Sequence, residues 1–507
     1  MGGWRRRDRK ARHVNQGDLS AKRDGVHARE CRRAGRAGVR APIVAKKGRN
    51  GPGAKGAQEG GDVKSEELEG KPAPVSEGTR QAGEIRKRWS WVEPTVWTER
   101  MLTALEEGVK GGKWFSLIDK VHTQANLRSA FEKVKAKGGA AGVDQQTIKI
   151  FERHLEENLE KLARSLREGS YRPQAIQRVW IPKPGSKEKR PLGIPTVRDR
   201  VVQRALLHVL EPIFEKEFEQ QSYGFRPRRG CKDALRRVDH LLRRGKTRVV
   251  DVDVRSYFDT IPHERLMERV EERVADGRVL ELVRAFLRQG MMETVKEWSP
   301  QEGTPQGAVI SPLLANIYLN PLDRQIRQAG GEMVRYADDF VLLCDSQTEA
   351  EGTLEEVRRW VEEAGLRLHP EKTRIVDATK PGGFDFLGYH FEQGRRWPRR
   401  KSLRRMKDLI RTKTKRNNGH SLETIILSVN RTLMGWFEYF KHSHKTTFPS
   451  LDGWIRMRLR SILRKRQHRR GRARGRDHQR WPNAFFTERG LFSLVAAHAQ
   501  ACQSSKR

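Results

Sequence analysis

Asp338 and Asp339 stand side by side in Tyr336-Ala337-Asp338-Asp339, between the apolar runs Met333-Val334 and Phe340-Val341-Leu342-Leu343-Cys344. Adjacent carboxylates repel, so a fold that keeps them together needs a cation to offset their charge, unless they only cap a solvated turn. A second stretch, Val249-Val250-Asp251-Val252-Asp253-Val254, alternates apolar and acidic residues. Asp253 taken with Asp338 and Asp339 makes a carboxylate set suited to hard, oxygen-ligated cations such as Mg²⁺. Two such ions about 4 Å apart clamp the attacking and leaving oxygens of an in-line phosphoryl displacement. Asp251 competes within the same stretch, since it can serve as a cap or ladder residue. Periodicity alone does not choose between Asp251 and Asp253.

Two kinds of element must position these groups. Apolar runs flanking a short polar break predict a β-hairpin with Asp338 and Asp339 at its tip. The Val/Asp alternation predicts a strand with one buried face and one acidic face. Val179-Trp180-Ile181-Pro182 and Pro191-Leu192-Gly193-Ile194 predict two further strands joined by a basic loop. Lys183 and Arg190 flank that loop and could reach one phosphate chain, the arginine in bidentate fashion. Tyr257-Phe258 follows the acidic strand, with one ring expected in the core and the other free to wall a sugar. Pro305-Gln306-Gly307 brings flexible backbone and an amide near the acidic cluster.

Composition narrows the partners. The 507 residues carry 103 Lys and Arg against 64 Asp and Glu, a net charge of +39. Such an excess is used to neutralise phosphates. No apolar run reaches the roughly 18 residues a membrane helix needs, so no membrane partner is expected. Cys31, Cys231, Cys344 and Cys502 are too scattered for a zinc knuckle or a disulfide framework. With no recognisable signal peptide, the cytoplasm is the expected compartment.

Along the chain, residues 1–84 lack apolar periodicity and are expected to be disordered, either as a non-specific RNA-binding tail or without function. Helices are expected across most of 97–151 and through Phe151, Leu155, Leu159 and Leu162. Others are expected from Asp199 to about Phe218, from Ile310 to Leu322 and from Leu354 to Ala364. Residues 456–476 hold eleven Arg or Lys and no acid. Leu459, Ile462 and Leu463 should make its first part pack, whereas Arg469 to Arg476 should not.

These motifs, taken in order, resemble the blocks of reverse transcriptases. The matching blocks are Asp253 with Tyr257-Phe258-Asp259, Pro305-Gln306-Gly307, Tyr336-Ala337-Asp338-Asp339 and Phe386-Leu387-Gly388. Trp114 to Lys120, Gly139 to Asp144 and Arg190 to Pro195 narrow the resemblance to bacterial group II intron-encoded reverse transcriptase/maturases. Gly435 to Phe440 and Trp454 to Arg460 resemble their maturase region. The resemblance implies an α+β right-hand polymerase with helical fingers, an antiparallel-sheet palm and a helical basic thumb. It implies fingers with an N-terminal extension over 85–240, a palm over 241–393, a thumb over 394–480 and a C-terminal segment over 481–507 without an HNH endonuclease.

The implied metal set is Asp253, Val254, Asp338 and Asp339, holding two Mg²⁺ ions for which Mn²⁺ can substitute. Lys183, Arg190, Phe258 and Gln306 would meet the dNTP, with Phe258 set against a 2′-hydroxyl. Lys372 and Tyr336 would lie by the primer and template. RNA would be held by Arg456, Arg458, Arg460, Arg464, Lys465 and Arg466. Intron RNA, RNA template, DNA primer and dNTPs are the implied partners. A stand-alone retron-type enzyme and a non-catalytic splicing factor are the alternatives.

Overall fold

The structure, a computed structural model, describes residues 84–182, 189–293, 296–298, 302–304 and 307–504. The expected tail over 1–84, apart from its last residue, lies outside the described residues, as do Lys183 and Gln306. In chain order the strands are β1 (Ile176–Pro182), β2 (Lys189–Ile194), β3 (Arg248–Asp253), β4 (Met291–Glu293), β5 (Lys296–Trp298), β6 (Glu332–Tyr336) and β7 (Asp339–Cys344). They continue with β8 (Arg374–Asp377), β9 (Phe384–Phe386), β10 (Tyr389–Glu392) and β11 (Arg395–Pro398). The fold is α+β, as expected.

Its central sheet is antiparallel in the order β6-β7-β3-β8. Val250, Val252 and Val254 of the acidic stretch join Phe340, Leu342 and Cys344 in the largest core, which also takes in the helices Ser311–Gln328 and Gln347–Glu363. Val249, Val341 and Leu343 face the other way, onto the helix Cys231–Arg243 and the aromatic rings of β9 and β10. A slip of β3 by one residue would exchange valines for Asp251 and Asp253 on the core face. Each buried valine is worth about 1.5–3 kcal/mol, so the register is firmly set.

In the region expected to be the fingers, helices gather around Val197–Glu215, which is buried on nearly all sides. Thr196 Oγ accepts the Asp199 N–H at 3.2 Å and starts that helix two residues before the expected Asp199. It ends at Glu215, short of Phe218. The helix expected through Phe151 and Leu162 divides at His154 into Ile148–Arg153 and Leu155–Glu168, because His154 has φ −121° and ψ 42°. β1 and β2, expected as two strands joined by a basic loop, form an antiparallel pair with Ile181 opposite Arg190.

The thumb helices Arg400–Lys413, Leu422–Phe440 and Thr447–Arg466 have a core of their own. Trp481, Phe486, Leu491 and Leu494 belong to it, so a boundary at 480 divides one core. The other two expected boundaries also need moving. The one at 240 cuts the helix Cys231–Arg243, which packs on the central sheet. The one at 393 falls in the turn between β10 and β11, where Glu392 pairs with Arg395.

Palm and thumb meet through aromatics: Tyr389 Oη donates to Tyr439 O at 2.6 Å, and Tyr439 Oη donates to Leu387 O at 2.7 Å. Residues 469–476, expected not to pack, are irregular but docked. Ala473 N–H donates to Ser461 Oγ and Gly471 O accepts from Arg416. Among the described residues no helix is long and apolar enough to cross a membrane, and Cys231, Cys344 and Cys502 are free thiols.

Candidate active site

β6 and β7 pair so that Tyr336 lies opposite Asp339, leaving Ala337-Asp338 as a two-residue turn. Ala337 has φ 61°, a left-handed conformation that an L-residue keeps only when its surroundings impose it. Two neighbours do so here. Arg335, buried at 0% exposure, donates from Nη1 to Ala337 O at 3.0 Å. Gly224 lies so close behind the turn that a Cβ on it would stand 2.3 Å from Ala337 N.

The Arg335 guanidinium is itself fixed. Its Nε donates to Asp323 Oδ1 and Oδ2 at 2.8 and 3.0 Å, and its Nη1 also reaches Asn316 Oδ1 at 2.9 Å. Asn316 Nδ2 in turn donates to Gly224 O at 2.8 Å. Helix Ser311–Gln328, the Gly224 loop and the turn are thereby tied together. Sequence reasoning did not single out Arg335, Asp323, Asn316 or Gly224. The available signal was an arginine directly after the apolar pair Met333-Val334 and a lone aspartate closing the largely apolar run Leu313 to Leu322.

In β3, Asp253 is the cross-strand partner of Asp339, and Asp251 is opposite Val341. Asp251 lies 3.8 Å from Arg374, and Lys372 Nζ sits 3.2 Å from both oxygens of Asp253. Burial pushes the Asp251 carboxyl up to about 6, against the pull of Arg374 and with Asp385 and Asp253 adding to the rise. Asp338 is raised by burial and by Asp253. Asp339 is pushed up to about 7 by burial, with the charges of Asp251, Asp338 and Asp253 adding to the rise. The Asp339 residue nonetheless meets solvent at the sheet corner.

The sequence reading has the three carboxylates converge. The structure brings them to one corner of the sheet, but among the described residues no three His, Cys, Asp or Glu side chains are gathered closely enough to hold a metal ion as they stand. Lys372 engages Asp253 at that corner. The donor chemistry nonetheless fits a hard divalent cation, since an all-carboxylate face carrying excess negative charge is what such an ion relieves.

The remaining expected residues fall into three groups. Arg190 is exposed on β2, near enough that its charge favours the ionised forms of Asp338 and Asp259. Phe258 is half-buried while Tyr257 is in the core, its Oη donating to Ala315 O at 2.6 Å. Tyr336 is half-buried with its ring 6.3 Å from that of Phe225, and Val254 is buried, bridging to Leu368.

The expected RNA contacts need correction. Arg460 is 3% exposed, donating to Trp481 O and Asn483 Oδ1 at 2.8 Å each, so its charge serves the thumb core. Arg464 is bound 2.7 Å from the buried Asp477. Arg456 and Arg458 are half-buried, whereas Lys465 and Arg466 are exposed. The basic run therefore offers fewer free cations than its composition implies.

Two family descriptions match the chain: "Reverse transcriptase (RNA-dependent DNA polymerase)" over residues 181–391 and "Group II intron, maturase-specific domain" over 403–481. Protein YkfC of Escherichia coli (strain K12) is 33% identical over 341 residues, covering 59% of this chain and 85% of its own length. The group II intron-encoded protein LtrA of Lactococcus lactis subsp. cremoris is 38% identical over 201 residues, 39% of this chain and 33% of LtrA. In the solved "Partial Cas6-RT-Cas1--Cas2 complex", one chain is similar with a TM-score of 0.31 and 22% identity, over 49% of this chain and 42% of that chain.

Proposed function

This chain belongs to the family of group II intron-encoded reverse transcriptases and maturases, and from that premise we propose that it copies RNA into DNA and binds its intron RNA to assist splicing and retromobility. Nucleic-acid binding agrees with the net charge of +39. The reaction is attack of a primer 3′-hydroxyl on the α-phosphate of a dNTP. The observation that carries this reading is the cross-strand pairing of Asp253 with Asp339, beside a turn that presents Asp338.

In this reading Asp253, Asp338 and Asp339, with Val254 adjoining, hold divalent cations, Mg²⁺ first and Mn²⁺ as substitute. Bound there, such ions would make the primer hydroxyl a better nucleophile and offset charge on the leaving pyrophosphate. Arg190 takes the triphosphate, and Lys183 and Gln306 would join it. Phe258 stands where a ring can exclude a 2′-hydroxyl. Lys372, whose Nζ lies 3.2 Å from Asp253, would sit by the primer end, as would Tyr336.

The partners are intron RNA, an RNA template with a DNA primer, and dNTPs, in the bacterial cytoplasm. The maturase-specific match over 403–481 favours an intron-encoded protein over a stand-alone retron-type enzyme. A non-catalytic splicing factor would have no use for three carboxylates at one corner of the sheet.

The test is Asp338→Asn in the full chain. Divalent-dependent DNA synthesis on an RNA template should be abolished while RNA affinity stays near wild type. Synthesis retained above a few per cent would sink the assignment.

A further inference from the structure

The indole of Trp454 is half-buried on the helix Thr447–Arg466, and three cations surround it. Lys407 Nζ lies 5.6 Å from the ring centroid, and the guanidinium carbons of Arg458 and Arg411 lie at 5.6 and 5.8 Å. Lys407 and Arg411 are one helical turn apart on Arg400–Lys413, as are Trp454 and Arg458 on their own helix, so each pair shares a face. Arg416 adds to the same field: it and Arg411 help burial hold the Arg458 pKa below its usual value. Asp408, 2.5 Å from Arg411, offsets part of this charge.

Three like charges around one ring, with Arg416 adding to their field, repel each other, and a polyanion relieves that repulsion more effectively than scattered counter-ions do. A partly open indole also gives an unpaired base a surface to stack on. Arg458 donates to Thr414 Oγ1 and O, and Arg416 to Gly471 O, neutral acceptors that leave the charge uncancelled, whereas Arg460 is buried and Arg464 meets the Asp477 carboxylate.

We propose that the face formed by Lys407, Arg411, Arg416, Trp454 and Arg458 is where the thumb grips single-stranded RNA, with phosphates on the cations and a base against Trp454. The proposal rests on the reading of the chain as an RNA-binding polymerase. It specifies which surface holds the strand, and it places the grip here instead of along the arginine-rich run of 460–476.

The experiment measures affinity of the full chain for oligouridylate and for a blunt RNA–DNA duplex across a range of salt concentrations. One variant carries Lys407→Gln, Arg411→Gln and Arg416→Gln; the other carries Lys465→Gln, Arg469→Gln and Arg472→Gln and loses the same charge. Each lost phosphate contact flattens the slope of log K against log salt by about 0.7 for a single strand, so the first variant should flatten the oligouridylate slope by about 2. The second should change it much less. Trp454→Leu should weaken oligouridylate binding about tenfold, leaving the salt slope and duplex binding unchanged. Because Trp454 also touches the thumb core, Trp454→Phe serves as the milder variant and should weaken binding by a smaller factor.

Equal flattening by both triple variants would overturn the proposal. So would unchanged oligouridylate affinity in both Trp454 variants. Nucleotide addition by the wild-type chain is scored separately. Absent addition with the slopes as expected would remove the polymerase reading and leave this surface standing. Normal addition with equal slopes would remove the surface alone.

Discussion

Arg335 Nη1 holds the carbonyl of Ala337 at 3.0 Å, so a fully buried cation two residues upstream sets the turn that presents Asp338. The same guanidinium is neutralised by Asp323 twelve residues before it in the chain, on a different element. Charge balance inside the palm and the geometry of the carboxylate turn therefore depend on one side chain.

Arg335→Lys should separate these two roles. A lysine can keep a positive charge against Asp323 but cannot also reach Ala337 O and Asn316, because it lacks the planar fork. DNA synthesis at saturating template–primer should fall about tenfold, the worth of one charge-assisted hydrogen bond to the turn. RNA affinity should hold. Arg335→Met, which leaves Asp323 buried without its partner, should cost about 3–5 kcal/mol in urea denaturation.

Gly224→Ala attacks the same turn without touching a charge. The added Cβ would lie 2.3 Å from Ala337 N and 2.8 Å from Tyr336 C, both backbone atoms with little room to move. Overpacking of this kind costs about 1–3 kcal/mol, and here it displaces Asp338. Turnover should drop more than melting temperature does. Gly352→Ala is the control. It sits in the helix Gln347–Glu363 with nothing within 4 Å of the new Cβ, and it should raise stability by about 0.5–1 kcal/mol.

Arg460→Gln should behave as a core mutation. It removes hydrogen bonds to Trp481 O and Asn483 Oδ1 and the guanidinium contact 5.2 Å from the Phe486 ring centroid. About 2 kcal/mol or more of stability should be lost. The salt dependence of RNA binding should match wild type, because a side chain 3% exposed neutralises no phosphate.

Glu211 supplies a pH-dependent prediction. Burial pushes its carboxyl up to about 7, with Glu215 adding to the effect and Arg204 opposing it. Below the ordinary glutamate range both folded and unfolded chains hold the proton, and Glu211 has no influence on stability. Between that range and about pH 7 the unfolded chain ionises first, so this group makes stability decline as pH rises. Glu211→Gln should therefore melt like wild type near pH 4 and above it by pH 7.5. A melting difference that stayed constant over that range would contradict this.

Much of this was legible in the sequence because the patterns are local. The Val/Asp alternation placed β3 with its acidic face, and the break at Ala337-Asp338 placed the hairpin. What was illegible is long-range. The Asp323–Arg335 pair joins a helix to a strand, and nothing in either segment names the other. Arginine reads as solvent-facing by type, yet Arg460 is buried because backbone and amide acceptors satisfy its guanidinium. The boundary expected at 240 failed because composition does not reveal which core a helix joins. Cys231–Arg243 follows the fingers in the chain yet packs on the palm.

The reciprocal bonds between Tyr389, Tyr439 and Leu387 bear on how such proteins can be recombined. The polymerase-matching block ends at 391 and the maturase-matching block begins at 403, a spacing that invites cutting between them. Phe440, from the second block, is nevertheless packed into the core that contains Phe384, Phe386 and Tyr389 of the first. A chimera spliced at residue 400 would carry half of an aromatic joint and lack its socket. Grafts that exchange both halves of the joint together should fold, and lineages should inherit the two blocks as a pair.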